Sequence, residues 1–470
     1  MRFKECHGKL EAAPPASVRG IDAFDGAMQA FRQAQNESAI ARFDAVLAAD
    51  PDNALAAHFK GYALCRLGRF EEGVPLLERA LRAQPRNPDF HGNLGIIRYV
   101  LGELPEAIRS LQRAIELAPT VAEPYGNLSM ALRDSGEFER ALAAARHAVQ
   151  LRPDLAAARL NLALALLALG NYDEAWRAYV WRPDPSVNLR DLGTPGLLAH
   201  ASVLPGLERD PWITLHGEQG VGDVIFFLRF ARALRERGAK LRFWGDERVA
   251  PMLLGSALVD AVSSGTAVPP GTNASHLVWI GDLPALLGMT SEFPASPKLG
   301  ADEARVKAVR ERLAACGPPP YTAITWRAGL PRRGKAVLEK AVAPAALGAA
   351  LKGIAGTVIS VQRNPDASEA RALEEALGKT LNDLSGLNAN LEDMLAVMHV
   401  VDEYVGVSNT NMHLRAAAGR TARVLLPWPP EWRWTRHLER SPWFPDFPLY
   451  RADSSGGWSD ALRRLANDLR

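Results

Sequence analysis

The sequence predicts an α superhelix of paired helices followed by an α/β region of two open parallel-sheet domains. Three observations predict it. The first third of the chain repeats with one fixed period, and the remainder alternates short apolar runs with amphipathic segments. Between them lies a proline-rich irregular stretch, WRPDPSVNLRDLGTPG, that reads as a linker over residues 183–210. A chain of 470 residues has room for about three domains of roughly 100–200 residues each.

The repeats come first. Pro51, Pro85, Pro119 and Pro153 recur every 34 residues, as do Gly68, Gly102, Gly136 and Gly170. Ala80, Ala114 and Ala148 hold the same register, and so do Ala107, Ala141 and Ala175, and Phe70, Leu104, Phe138 and Tyr172. Columns sharing a 34-residue period are the signature of tetratricopeptide (TPR) repeats. Each column has a physical role. Glycine sits where the first helix of a repeat turns into the second, small alanines let the two approach, and proline marks the exit. About five repeats fill residues 20–182: a degenerate one from Gly20 to Pro51, three clear ones, and a fifth ending near Trp181. Such a stack buries a continuous core and leaves a groove for an extended protein partner or acceptor. Asn93, Asn127 and Asn161 keep the period on the first helix of successive repeats. A ladder of amides there can hold the backbone of a bound peptide, or satisfy a neighbouring helix.

Composition narrows the rest. With 47% hydrophobic and 23% charged residues the chain can bury a large core, and a net charge of +2 gives no polybasic case for nucleic acid. Cys6, Cys65 and Cys316 are far apart and lack metal-ligand spacing, which points to a reducing compartment and no metal centre. No apolar run reaches the ~18 residues of a membrane span. A cytoplasmic, bacterial-type protein is expected.

Residues 211–318 form the first expected α/β domain, with strands at Trp212–His216, Lys240–Trp244 and Leu277–Ile280 and a helix near Ala301–Ala315. Residues 319–470 form the second. Its strands are Thr322–Trp326, Thr357–Gln362, Val400–Val407 and Ala422–Pro427, and its helices lie near Pro344–Leu351, Ser368–Leu377, Leu391–His399 and Trp458–Leu469. Ligands of such domains bind at the carboxyl ends of the strands.

Two strand-to-helix turns carry the chemistry. In the first, GEQGVGD, the glycines Gly217, Gly220 and Gly222 lead to Asp223 at the start of an amphipathic helix. Backbone N–H groups and the positive end of the helix dipole gather there, suited to an anion. In the second, VSNTNMHLRAAAGR, Ser408, Asn409, Thr410, Asn411 and His413 follow a strand in the same way. Asp223 stands where it can cap that helix. The basic residues Arg327, Arg332, Arg333, Lys335 and Lys340 are candidates for a diphosphate, or a solvated loop. Trp428, Trp432, Trp434, Trp443, Phe444 and Phe447 can stack on a sugar or pack the C-terminal segment.

These motifs, with ITWRAG at Ile324–Gly329, LLPWPPEWRW at Leu425–Trp434 and RSPWFPDFPLYR at Arg440–Arg451, occur in the order seen in a known group. The chain resembles bacterial TPR proteins with a heptosyltransferase-like (GT-B) glycosyltransferase domain, an architecture similar to O-GlcNAc transferases. The resemblance implies a GT-B fold of two Rossmann-like domains, the first for the acceptor and the second for the donor. It implies inverting, metal-independent transfer from a nucleotide sugar, ADP- or UDP-linked, with no other cofactor. Asp223 and His413 would be catalytic, Asp223 as the general base that takes the acceptor hydroxyl's proton. Gly217, Gln219, Gly220, Gly222, Arg327, Lys335, Gln362, Ser408, Asn409, Thr410, Asn411 and Trp432 would contact substrate or nucleotide, with Trp428 and Glu431 nearby. The family pattern begins Asp-Thr where this chain has Asn409-Thr410, so one carboxylate is replaced by an amide.

Two other functions compete. A TPR scaffold whose α/β part serves only as a binding module fits the Asn409 departure. A dinucleotide-dependent oxidoreductase fits less well, because Gly217, Gly220 and Gly222 invert the GxGxxG spacing.

Overall fold

A computed structural model describes residues 18–182, 210–265, 267–273, 276–329, 340–435 and 439–469. The linker expectation, save residue 210, lies outside the described residues, as do Arg332, Arg333 and Lys335. The chain divides into two compact bodies, one running to Asn161 and the other beginning at Leu162.

The first body is a succession of helix pairs: α1 (Val18–Arg32), α2 (Asn36–Ala49), α3 (Ala54–Arg66), α4 (Phe70–Ala83), α5 (Pro88–Val100), α6 (Leu104–Leu117), α7 (Ala122–Asp134), α8 (Phe138–Leu151) and the start of α9 (Ala156–Ala168). Each column of the repeat has a visible cause. Gly68, Gly102 and Gly136 turn the chain between the paired helices at φ of 80°, 78° and 86°. Residues with a Cβ avoid this region at a cost of about 1–2 kcal/mol. Ala34 stands in the same column of the degenerate first repeat and also has a positive φ, 59°. Ala80, Ala114, Ala107 and Ala141 are buried between helices. α3 and α4 approach closely: a Cβ on Gly73 would stand 2.6 Å from the Gly61 carbonyl. His91, Tyr125 and Arg159, again 34 residues apart, each donate to the carbonyl of the proline six residues earlier, Pro85, Pro119 and Pro153. The repeat thus fixes both the turn inside each pair and the step between pairs.

The second body takes the rest of α9 and α10 (Tyr172–Tyr179), then two α/β halves. The first half contains β1 (Trp212–Gly217), α11 (Val221–Phe227), α12 (Ala231–Glu236), β2 (Lys240–Gly245), α13 (Ala250–Leu253), β3 (Ala261–Ser264), β4 (Leu277–Trp279), α14 (Leu283–Leu286) and α15 (Glu303–Cys316). The second contains β5 (Tyr321–Ile324), α16 (Pro344–Ala350), β6 (Thr357–Ser360), α17 (Ala367–Leu377), β7 (Leu381–Asp383), α18 (Leu391–Val400), β8 (Glu403–Val407), α19 (Thr410–Ala417), β9 (Arg423–Leu426), β10 (Leu449–Arg451) and α20 (Ser459–Asp468).

All strand pairs are parallel, in the orders β3-β2-β1-β4 and β10-β9-β8-β5-β6-β7. Counted from β5, the second sheet has the doubly wound order 3-2-1-4-5-6. In each sheet the order reverses beside the first strand, between β1 and β4 and between β5 and β8. A crevice opens at the carboxyl ends of strands at such a reversal, and both glycine-turn and Ser408 segments leave from these points. Helices cover the second sheet through Ile324, Leu347, Val358, Leu373, Val405, Leu425 and Leu465, all buried. Each such side chain stabilises the body by roughly 1.5–3 kcal/mol relative to exposure. The sequence reading did not anticipate β3, β7 or β10. They are edge or near-edge strands of three or four residues, and β3 and β7 are half-exposed.

The body boundary falls inside α9, so α10 packs with the α/β residues. Its Tyr172 meets Trp443 and Phe293 edge-on at 5.5 and 5.2 Å, and Trp176 meets Trp432 at 5.6 Å. Trp432, Trp443 and Phe444 are therefore packing groups here, and Trp434 stacks on Phe444 at 5.1 Å.

Candidate functional site

The candidate site forms where the first turns of α11 and α19 meet. Gly217 ends β1 because a Cβ there would stand 2.8 Å from the Phe243 ring. Gly220 precedes α11 with φ −61°. Gly222 is required by closeness: a Cβ would lie 3.0 Å from His413 Cδ2 and 3.7 Å from Thr410 Cα. The sequence reads this turn as a cradle of backbone N–H groups for an anion. In the structure Gly217 admits Phe243 and Gly222 admits the start of α19.

Asp223, in the first turn of α11, is partly exposed and ion-paired to Arg433, whose side chain is buried. Arg433 lies over the rings of Phe226 and Trp432, 4.6 and 4.4 Å from their centroids, and its Nε is buried without a partner. Glu431 joins the cluster from the same segment. It pairs with Lys340 through one oxygen and accepts from Ser408 Oγ at 2.9 Å through the other. Burial, with Arg433 alongside, brings Lys340 down to about 8. His413 is buried, and burial followed by Arg433, Arg229 and Lys340 holds it well below its usual range. It is a neutral imidazole at pH 7. Arg229 is buried under the cluster, bonded to the carbonyls of Phe226, Pro294 and Trp443 and to Ser296 Oγ. Burial and Arg433 lower it to about 9.

Other predicted ligand residues are engaged within the body. Arg327 donates to Glu369 at 3.0 Å and to the carbonyls of Gly329 and Asn364. Gln362 Oε1 accepts from the backbone N–H groups of Trp326 and Arg327 at 3.0 and 3.1 Å. Asn409 caps α19 by accepting from Met412 N, accepts also from Tyr404 OH, and donates to Thr325 Oγ1 at 2.9 Å. The amide therefore ties the ends of β5 and β8 together, at the reversal itself. Asn411 donates to Val361 O and Asn388 Oδ1. Thr410 stands half-buried at the first position of α19.

Gln219 points toward α10. It donates to Tyr179 OH at 2.9 Å. Beside it, Glu218 and Asp282 share Arg182 in a buried ion triad. Burial, opposed by Arg182, still pushes Asp282 up to about 6. In Arg182 the balance runs the other way: burial lowers it, but Asp282 and Glu218 together hold it above its ordinary range.

In the repeats, Asn93 bonds His58 Nε2 at 2.9 Å and Asn161 donates to Gly126 O at 2.9 Å, each reaching the preceding repeat. Asn127 is half-buried. The sequence reading missed Arg433, Arg229 and the Arg182 triad. An arginine flanked by Trp432 and Trp434 was the only local sign of the first.

A separate cleft of about 270 Å³ lies by β6, β7 and α17, lined by Ser360, Arg371, Glu374 and Asp383 among others, and it includes neither Asp223 nor His413. Among the described residues no group of three or more His, Cys, Asp or Glu is arranged to hold a metal ion. No described helix is long and apolar enough to cross a membrane.

Residues 24–74, 60–122 and 127–185 match the tetratricopeptide repeat family model, so the N-terminal region is a TPR array. The chain is 27% identical over 320 residues to Protein FlbA of Caulobacter vibrioides (strain ATCC 19089 / CIP 103742 / CB 15), covering 63% of this chain and 52% of that protein. It spans about half the length of this curated relative. A match to 63% of the chain is more than residues 1–182 supply, so the likeness extends beyond the repeats. Among solved structures, the crystal structure of MamA is 24% identical, covering 33% of this chain and 91% of its own, with a TM-score of 0.30. MamA 41-end from Desulfovibrio magneticus RS-1 is 17% identical, covering 35% and 92%, with a TM-score of 0.32.

Proposed function

We propose that this protein is a binding scaffold: the TPR array holds a protein partner, and the α/β body is a ligand-binding module with a glycosyltransferase-like arrangement rather than a working transferase. The repeat match over the helix pairs carries this reading. The internal bonding of Arg327, Gln362, Asn409 and Asn411 supports it. Recruiting any of these to a nucleotide breaks existing bonds worth about 0.5–1.5 kcal/mol each, more for the charged Arg327. A photo-crosslinking residue placed at Asn127 in the full chain is expected to yield a discrete protein adduct in cells. No adduct from position 127, and none from 93 or 161, counts against the scaffold.

One observation favours the second reading, glycosyl transfer from a nucleotide sugar. Asp223 is a partly exposed carboxylate where segments leaving both sheet reversals meet, next in sequence to Gly222, which packs against the neutral His413. Such a carboxylate can take the proton of an acceptor hydroxyl. Nucleotide-sugar turnover that disappears in Asp223→Asn would establish it.

A further inference from the structure

Three cations, Arg433, Lys340 and Arg229, converge beside the first turns of α11 and α19, and two carboxylates, Asp223 and Glu431, answer them. His413 adds no charge at pH 7, so among the described residues the cluster keeps one positive charge in excess. Arg433 is buried, 7% exposed, with its Nε unpartnered. An orphaned buried donor of a charged group costs free energy and is satisfied when an acceptor arrives. Among the described residues its ion-pair partner is Asp223, which is partly exposed, at 36%. The way to Arg433 therefore runs through the position of the Asp223 carboxylate.

We propose that Asp223 is a placeholder anion: a phosphoryl group of a small-molecule ligand displaces it from Arg433, taking the guanidinium and the neighbouring Lys340. A guanidinium offers phosphate the same planar pair of donors it offers a carboxylate, so the exchange keeps Arg433 bonded and also satisfies Nε. Glu431 stays on Ser408 while its hold on Lys340 relaxes. The displaced Asp223 carboxylate turns outward at the mouth of the site, where the ligand's own binding has released it. This exchange deepens the view of the α/β body as a binding module. It does not depend on what the repeats hold, so its failure leaves the scaffold reading standing.

Titration calorimetry on the full chain with inorganic pyrophosphate, ADP and UDP tests the exchange. Pyrophosphate binding alone marks a free phosphate as the source; tighter binding of either nucleotide marks a nucleoside diphosphate. Asp223→Asn removes the competing charge and is expected to tighten binding about tenfold, the scale of one charge-assisted bond. Arg433→Gln is expected to weaken it at least about tenfold, and Arg433→Lys to retain part of it. Thermal melting checks the fold of each variant, and added pyrophosphate should raise the melting temperature of Asp223→Asn more than that of the wild type. If Arg433→Gln does not fold, the direction of the Asp223→Asn change decides. Unchanged or weaker binding by Asp223→Asn, or no binding of any of the three probes by the wild type, overturns the proposal.

Discussion

Replacing Arg182 with Met tests how the body beginning at Leu162 is held together. The three side chains of the triad are 7%, 3% and 9% exposed for Arg182, Glu218 and Asp282. Arg182→Met keeps the volume of the side chain but leaves two buried carboxylates facing one another. Breaking a buried pair by removing one partner costs about 3–5 kcal/mol. The triple change Arg182→Met, Glu218→Gln, Asp282→Asn removes the stranded charge and should recover most of that loss. The pH dependence follows from Asp282. Its carboxyl titrates at about 6 in the folded chain against an ordinary 3.8, so its favourable contribution is complete below about pH 4 and is lost as pH rises through about 6. That window is worth about 3 kcal/mol. Without Arg182 the shift grows, so the variant should lie closer to the wild type at pH 5 than at pH 8. Urea unfolding followed by tryptophan fluorescence reads this directly, since Trp279 lies 5.7 Å from the guanidinium. A loss under about 1 kcal/mol at pH 8, or the same loss at both pH values, would refute the triad's role.

Other substitutions test the repeat geometry and the site. Ala34→Gly should stabilise the first repeat by up to about 1 kcal/mol, and Gly136→Ala should destabilise the fourth by a similar amount, because both positions hold positive φ; hydrogen exchange of the adjoining helices reads both. His58 is buried against Phe90 at 4.2 Å and burial lowers it to about 3, so the folded chain resists its protonation. Stability present above about pH 6.5 should fall by up to ~1.4 kcal/mol per unit as pH drops toward 3, and His58→Phe should flatten that slope in acid-unfolding curves. Gly222→Val should force α11 and α19 apart and lower the melting temperature by several degrees, whereas Gly220→Ala, whose Cβ meets only Asp223 Oδ2 at 3.7 Å, should change it little.

The repeat was legible because one backbone requirement recurs at a fixed period. Gly68, Gly102 and Gly136 announce a left-handed turn by residue type, whereas Ala34 adopts it without the signal. Central strands such as Thr357–Ser360 were legible as apolar runs buried on both faces. The strand Leu381–Asp383 carries only one apolar residue and was not. At the site, the glycines of the turn also serve close packing that the sequence does not announce. Gly222 serves the approach of His413, a contact between residues 191 positions apart that no local pattern encodes. The pairing of Asp223 with Arg433 spans 210 positions, and Arg182 reaches 100 positions to Asp282. Isolated arginines carry no period, so their partners emerge only when the sheets bring the strand ends together.

The scaffold account is tested most directly by nucleoside diphosphate release from ADP-, UDP-, GDP- and TDP-sugars by the full chain, measured beside Asp223→Asn. The account predicts no release above that of the variant, even where a nucleotide binds. Release by the wild type that vanishes with Asp223 would contradict it and establish the α/β body as a transferase.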